Sequence, residues 1–167
     1  GHFWETMNAA CVMQVPLAMF VWDDGYGISV PKEYQTTKGS ISEALSGFQV
    51  DDEGKGMAIY TVNGWDYAAL IETFTKAVER VRETHIPALF HVTEVTQPQG
   101  HSTSGSHERY KSKERLEWEA DFDCLKKMRE WILDNGISTT EQLDQIENEA
   151  KDAVRVARTN AWTAFDA

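Results

Sequence analysis

Cysteine is scarce in this chain, and its only two copies, Cys11 and Cys124, lie far apart in the sequence. They form neither a CxxC pair nor a framework of spaced cysteines, so a zinc ribbon and a disulfide-stapled small fold are both excluded. Such sparse usage is typical of a reducing compartment. The cysteine content therefore predicts a cytoplasmic protein.

Long apolar runs and positive charge are also lacking. No apolar run approaches the ~20 residues that a membrane-spanning helix needs, so we expect no membrane partner. The chain has 16 Lys and Arg against 27 Asp and Glu, a formal net charge of -11, which repels phosphate backbones and excludes nucleic acid as a partner. An anionic ligand would need a bridging cation or a local group of hydrogen-bond donors.

The chain does contain enough apolar residues to form one sizeable core. The chain has 167 residues, of which 41% are hydrophobic, and this length and composition predict one domain or a piece of a larger one. The helical pattern begins at the first residues, with no strand or loop to lead into it. We therefore expect the chain to be a fragment.

Three apolar segments predict an α/β fold with a parallel sheet. Residues 17–22 are six consecutive apolar residues, which favours a fully buried, central strand. Residues 57–62 and 87–95 are strand-like and flank an amphipathic helix, a pattern that indicates a right-handed parallel crossover. We expect helices on both faces of the sheet and a wholly helical third at residues 113–167, whose last helix begins at a capping box over Ser138 and Glu141.

An acidic turn follows the first predicted strand, and the residues allow two interpretations of it. Asp24 and Gly25 between apolar runs are typical of a β-hairpin turn. Alternatively, Asp24 and nearby backbone oxygens hold a hard cation such as the magnesium that bridges a diphosphate. Ligands of open α/β sheets bind at the carboxyl ends of strands, where this turn is predicted to lie.

A long polar segment at residues 100–111 is the second candidate for function. Loops of this length are usually functional or disordered, and the serine-rich composition also fits a plain surface loop. The segment has no GxSxG motif for a serine nucleophile. A zinc site built from His101, His107 and Glu108 is conceivable, although their spacing matches no standard pattern.

Taken together, the motifs resemble the alpha subunit of the thiamine diphosphate-dependent 2-oxo acid dehydrogenases. Residues 4–10 (WETMNAA) resemble the helix after the family's GDG cofactor motif, and residues 20–29 (FVWDDGYGIS) resemble the strand and loop that complete that site. Residues 101–104 (HSTS), with Tyr110 and Lys111 further on, are similar to the active-site loop of the branched-chain members. The resemblance implies the thiamine diphosphate-binding fold, truncated, with residues 1–167 as the C-terminal part of one diphosphate-binding domain.

The resemblance also implies a set of site residues. Asp24 would give a side-chain oxygen and Tyr26 a main-chain oxygen to magnesium, although the family usually has asparagine at the positions of both Asp23 and Asp24. Ile28 would lie near the aminopyrimidine of the cofactor. His101 would be the catalytic residue of the loop, helping acyl transfer to a lipoyl group, and Ser102 would lie beside the cofactor.

By this resemblance the full-length protein is the decarboxylating first component of a 2-oxo acid dehydrogenase complex. The loop favours 2-oxoisovalerate as substrate, and the implied partners are a pyrimidine-binding beta domain or subunit and a lipoyl domain. The alternatives are another thiamine diphosphate enzyme, of pyruvate, acetoin or transketolase-like type, and a non-catalytic acidic interaction module. We expect the fragment alone to be inactive, and a bare sheet edge to let it form a homo-oligomer.

Overall fold

The computed structural model describes residues 1–101 and 106–166. Ser102 of the predicted site lies outside the described residues. The chain divides into two compact units, Gly1–Lys127 and Met128–Ala167. In chain order the helices and strands are α1 (His2–Met13), β1 (Ala18–Trp22), β2 (Tyr26–Gly27), β3 (Val30–Pro31), α2 (Ile41–Ala44), β4 (Ala58–Asn63), α3 (Tyr67–Thr84), β5 (Ala88–Thr93), α4 (Lys113–Asp121), α5 (Cys124–Asp134) and α6 (Thr140–Phe165).

The first unit is built on a three-stranded parallel sheet in the order β1-β5-β4. Both outer strands are in register with β5, so that Ala18 and Ala58 each lie opposite Ala88. The three strands predicted from the apolar runs are therefore confirmed, with β5 shorter at both ends than the predicted segment. The α/β class with a parallel sheet is confirmed as well.

The prediction that the first strand is central and fully buried is wrong. Among the described strands β1 lies at the edge of the sheet, its first four residues are only partly buried, and Trp22 is 59% exposed. The central strand is β5, whose residues from Ala88 to Val92 are all buried. A run of apolar residues indicates burial on both faces of a strand, but it does not indicate whether the strand has a partner on each side.

Helices cover both faces of the sheet, because side chains alternate between the two faces along each strand. On one face Ala77 and Val81 of α3 pack against Phe90 of β5. On the other face Met7 of α1 and Leu45, just after α2, pack against the neighbouring side chains of the sheet. The two buried clusters hold the central strand between layers of helix.

The acidic turn after β1 does not form a hairpin at Asp24 and Gly25, so that interpretation is wrong. The small antiparallel pair β2 and β3 turns instead at residues 28–29. Asp23 accepts a hydrogen bond from the Gly25 N–H, and Asp24 accepts one from the Tyr26 N–H. Aspartate side chains that bond the backbone two residues on stabilise a local turn without pairing two strands.

The last third of the chain is helical, as predicted. The capping box, however, lies one residue later than predicted: Thr139 is the N-cap and its partner is Gln142, rather than Ser138 and Glu141. Both pairs satisfy the sequence pattern, and the backbone selects the pair that closes the first turn. None of the helices in the described ranges is both long and apolar enough to cross a membrane.

Candidate functional site

The candidate site is the acidic turn at the carboxyl ends of β1 and β5. The Asp23 N–H donates to the Val92 carbonyl at 2.8 Å, and the Val95 N–H donates to the Asp23 carbonyl at 3.1 Å. The backbone of the turn is therefore anchored to the central strand. This is the edge at which open α/β sheets bind their ligands.

Asp23 is the centre of a hydrogen-bond network that neutralises its charge. One carboxylate oxygen, Oδ2, lies 2.8 Å from both Lys32 Nζ and His91 Nε2. Since an ionised carboxylate only accepts, Nε2 must be the protonated nitrogen of His91, and Nδ1 meets Ser42 Oγ at 2.8 Å. Partial burial by itself would raise the pKa of Asp23, but the hydrogen bonds from His91, Lys32 and the Gly25 N–H outweigh it and hold that pKa well below its ordinary value.

Asp24 differs from its neighbour because no cation of the described residues pairs with its carboxylate. That carboxylate accepts one hydrogen bond, from the Tyr26 N–H at 3.0 Å. The Lys32 N–H donates to the Gly25 carbonyl, so Tyr26 and its cross-strand partner Pro31 are a non-hydrogen-bonded pair, and the Tyr26 carbonyl faces away from β3. Two hard oxygen atoms thus lie in one turn, and carboxylate and carbonyl oxygens are the ligands that magnesium prefers. The residues present fit a magnesium-bridged diphosphate.

Ile28 lies at the tip of the β2–β3 hairpin in a strained backbone conformation. Its φ is 62°, in the left-handed region that β-branched residues rarely adopt. Its side chain is 61% exposed, so packing against the described residues does little to offset the cost of this backbone conformation. Strained residues of this kind concentrate at ligand sites.

His101 is exposed, and none of the hydrogen bonds or ion pairs of residues 1–101 and 106–166 involves it. The described residues therefore do not bring His101 together with Asp24. The far end of the loop does return to the turn, because the Tyr110 ring centroid lies 5.8 Å from that of Tyr26. His101, His107 and Glu108 do not form a metal-binding group, since no such group of three occurs among the described residues.

The turn opens onto a small, open cavity of about 160 Å³ lined by Asp23, Asp24, Tyr26, Lys32 and other residues of the segment up to Ile41. Complete small-molecule sites have volumes of roughly 300–1,000 Å³. The cavity is therefore smaller than a complete small-molecule site.

Sequence reasoning assigned no functional role to His91, Lys32 or Ser42. His91 is the single ionisable residue in the buried strand β5 and is 1% exposed. A polar residue in an otherwise apolar buried strand must have a hydrogen-bond partner. That signal was present in the sequence, but the identity of the partner, 68 residues away, was not.

The fold is a parallel α/β sheet whose acidic turn lies at the carboxyl ends of the strands, where open α/β sheets bind their ligands. A family model described as the dehydrogenase E1 component matches residues 1–164, and the chain belongs to this family. The expected resemblance to the alpha subunits of 2-oxo acid dehydrogenases is confirmed.

The curated relatives of the chain include several kinds of alpha subunit. It is 29% identical over 150 residues to the alpha subunit of acetoin:2,6-dichlorophenolindophenol oxidoreductase from Cupriavidus necator, covering 89% of this chain and 42% of that protein. It is 27% identical to the pyruvate dehydrogenase E1 component subunit alpha from Porphyra purpurea, covering 90% and 41%. It is 28% identical to the 3-methyl-2-oxobutanoate dehydrogenase subunit alpha from Mycobacterium tuberculosis, covering 90% and 39%. The chain thus spans about two fifths of the length of these relatives.

Proposed function

We propose that the full-length protein is the alpha component of a thiamine diphosphate-dependent 2-oxo acid dehydrogenase, and that it oxidatively decarboxylates a 2-oxo acid and passes the acyl group to a lipoyl domain. The observation on which this rests most is the uncompensated Asp24 carboxylate beside the Tyr26 carbonyl, in a chain of the dehydrogenase E1 family. Residues 1–167 would form the C-terminal part of the diphosphate-binding domain, with residues 100–111 as its active-site loop.

In this proposal Asp24 and Tyr26 would hold magnesium, which would offset the charge of the diphosphate. Thiamine diphosphate, when bound, supplies the nucleophilic carbon and the electron sink that decarboxylation requires. Asp23 would not bind the metal, because its carboxylate already accepts hydrogen bonds from Lys32 and His91. The exposed Ile28 would offer an apolar surface to the aminopyrimidine ring.

His101 is the proposed catalytic residue, and Ser102 a proposed contact to the cofactor. An exposed histidine in a polar loop contributes little to the core and is free to orient or protonate a reacting group. A positioned histidine is typically worth ~10²- to 10⁴-fold in a proton-transfer step. His101 would act while the acyl group passes to the lipoyl group.

We favour 2-oxoisovalerate as the substrate, because residues 101–104 (HSTS) resemble the loop of the branched-chain members. The relative from Mycobacterium tuberculosis acts, by its name, on 3-methyl-2-oxobutanoate, which is the same acid. A second candidate is an acetoin-type or pyruvate-type enzyme, since relatives with those names match the chain at similar identity.

The proposed partners are a pyrimidine-binding beta domain or subunit and the lipoyl domain of the acyltransferase. The small open cavity at the turn supports the first of these, because a second wall is needed to enclose a cofactor. We place the protein in the cytoplasm, since Cys11 and Cys124 are both free thiols. The fragment by itself would be inactive and can self-associate.

The test is steady-state turnover by the full-length protein with its beta partner, measured as decarboxylation of 2-oxoisovalerate and pyruvate and as oxidative cleavage of acetoin, which has no carboxyl group. One assay uses an artificial electron acceptor and the other uses a lipoyl domain. His101→Ala should lower turnover by ~10²- to 10⁴-fold in the lipoyl assay, while Asp24→Ala should instead weaken magnesium-dependent cofactor binding. Asp24→Asn, which keeps the oxygen ligand, should bind cofactor as the wild type does.

The matched control is His85→Asn, which removes an exposed histidine at the end of α3 where φ is 59°, a conformation that asparagine tolerates. It should leave both assays unchanged. Wild-type turnover by His101→Ala in both assays would remove His101 from the mechanism. Absence of any magnesium-dependent affinity for thiamine diphosphate in the wild-type protein would overturn the proposed function.

A further inference from the structure

Three charged residues, of which two are buried and the third is 29% exposed, form a cluster next to the acidic turn. Lys111 Nζ lies 2.8 Å from both carboxylate oxygens of Glu119, and the two side chains are 0% and 2% exposed. Arg115 Nε lies 2.8 Å from the same carboxylate, one helical turn away on α4. We call these three residues the α4 cluster.

Burying the charges of Lys111 and Glu119 is costly, so the buried pair is weak evidence of a gain in stability. Buried ion pairs lose their hydration, and apolar residues of similar volume often serve a fold equally well. Arg115 and Glu119 would also pair on an exposed helix face without the buried Lys111. The burial of Lys111 has a further consequence: it holds the Glu119 carboxylate in one orientation, and that carboxylate in turn orients the guanidinium of Arg115.

The oriented guanidinium reaches the acidic turn directly. Arg115 Nη2 donates to the Asp24 carbonyl at 2.9 Å, across 91 residues of sequence. The same guanidinium lies 5.7 Å from the centroid of the Tyr26 ring, and Lys111 Nζ lies 5.0 Å from it. The cluster therefore holds both residues proposed to bind magnesium, one by its backbone and the other by its ring.

The planar guanidinium of Arg115 links Glu119 to the acidic turn. Its Nε faces Glu119 while its Nη2 faces the turn, and only a planar group with several donors can satisfy both at once. Stacking of the guanidinium at 4.7 Å over the Trp118 ring fixes the plane further. A lysine at this position would keep the charge but could not make both contacts.

We propose that Arg115, oriented by Glu119 and the buried Lys111, is a positioning residue that holds the turn from Asp24 to Tyr26 in the shape that binds the metal of the cofactor. This inference rests on the proposed function for the identity of the ligand. The held shape of the turn itself can be measured without any ligand.

The first measurement is amide hydrogen exchange of the turn in the cofactor-free protein with its beta partner. Arg115→Met should speed exchange of the Gly25 and Tyr26 amides by about tenfold, a factor that the loss of one charge-assisted hydrogen bond supports. Arg115→Lys should behave like Arg115→Met. The control is Arg129→Met, which removes a guanidinium that also has two partners, Asp144 and Glu147, and which should leave the turn unchanged.

The second measurement is a magnesium titration of thiamine diphosphate binding, followed by tryptophan fluorescence. Arg115→Met should raise the magnesium concentration for half-saturation by about tenfold, and saturating magnesium should restore wild-type turnover. If Arg115→Met fails to fold, the double variant Lys111→Met with Glu119→Gln removes the buried pair without leaving a buried charge. It should shift both measurements in the same direction.

The outcomes separate this inference from the proposed function. Unchanged exchange in Arg115→Met, or full rescue of both measurements by Arg115→Lys, would overturn the positioning role. A wild-type protein that binds no cofactor while Arg115→Met still loosens the turn would overturn the function and retain the role of Arg115 in holding the turn.

Discussion

Replacing Asp23 by alanine or by asparagine distinguishes the contributions that Lys32 and His91, the two partners of its carboxylate, make to stability. Alanine leaves both Lys32 Nζ and His91 Nε2 without their acceptor. Lys32 has a side chain that is 40% exposed and can turn to water. His91, at 1% exposure, cannot, so its ring nitrogen would remain buried and unpaired.

The magnitude follows from these two partners. A buried polar group left without a hydrogen bond costs about 1–3 kcal/mol, and a half-exposed ion pair contributes about 0–1 kcal/mol. Asp23→Ala should therefore lower the free energy of unfolding by about 1–4 kcal/mol. Asp23→Asn should cost only about 1 kcal/mol, because its amide can donate to His91 Nε2 once the ring proton moves to Nδ1 and faces Ser42.

The assay is urea denaturation of the chain. The free energies of unfolding of both variants are compared when the dependence on urea concentration has the same slope in each. The folded pKa of Asp23 lies below its unfolded value, so its stabilisation is present above about pH 4 and is lost as the pH falls toward the folded pKa. The difference in the free energy of unfolding between the wild type and Asp23→Ala should therefore become smaller as the pH falls. Equal stabilities for the alanine and asparagine variants near neutral pH would refute the argument from His91.

Three further predictions concern the first unit. Phe90→Ala removes a fully buried ring at the centre of the sheet and should cost about 3–5 kcal/mol in urea denaturation; a loss below about 1 kcal/mol would contradict its central place. Burial raises the pKa of the Cys11 thiol, so iodoacetamide should label it more slowly than free cysteine in a Cys124→Ser background, and an equal rate would show an unperturbed thiol. Gly56→Ala, where φ is 110° and a Cβ would lie 2.5 Å from a backbone carbonyl, should lower the thermal midpoint, whereas Gly47→Ala, with open space, should not.

Local patterns predicted most of the elements of the fold. The cap at Asp66, whose side chain accepts from the Ala69 N–H, follows from the residue type at a helix start. For α2 the residue types allowed Ser40 or Ser42 as the cap, and the structure has Ser40. The break between α4 and α5 near Asp121 follows in the same way. These features depend on neighbours within a few residues, so a single sequence is enough to place them.

The proposed metal ligands Asp24 and Tyr26 could be proposed from a motif, but their surroundings could not. Asp23 carries the same charge as Asp24, and the motif that assigns the metal to Asp24 does not show what compensates the charge of Asp23. The difference arises from Lys32 and His91, which compensate only Asp23. Arg115 went unnoticed because a basic residue on a polar helix is usually solvent-exposed.

By itself the sequence determined the α/β class, the parallel direction of the strands and the position of the acidic turn, because each depends on residue periodicity and on the length of the connections. Only the tertiary structure decided that β5 is the central strand, that His91 pairs with Asp23 across 68 residues, and that Arg115 reaches the turn across 91. Strand order and side-chain partners depend on how distant segments pack together. No local pattern encodes that packing, since the same residues can find different partners in a differently ordered sheet.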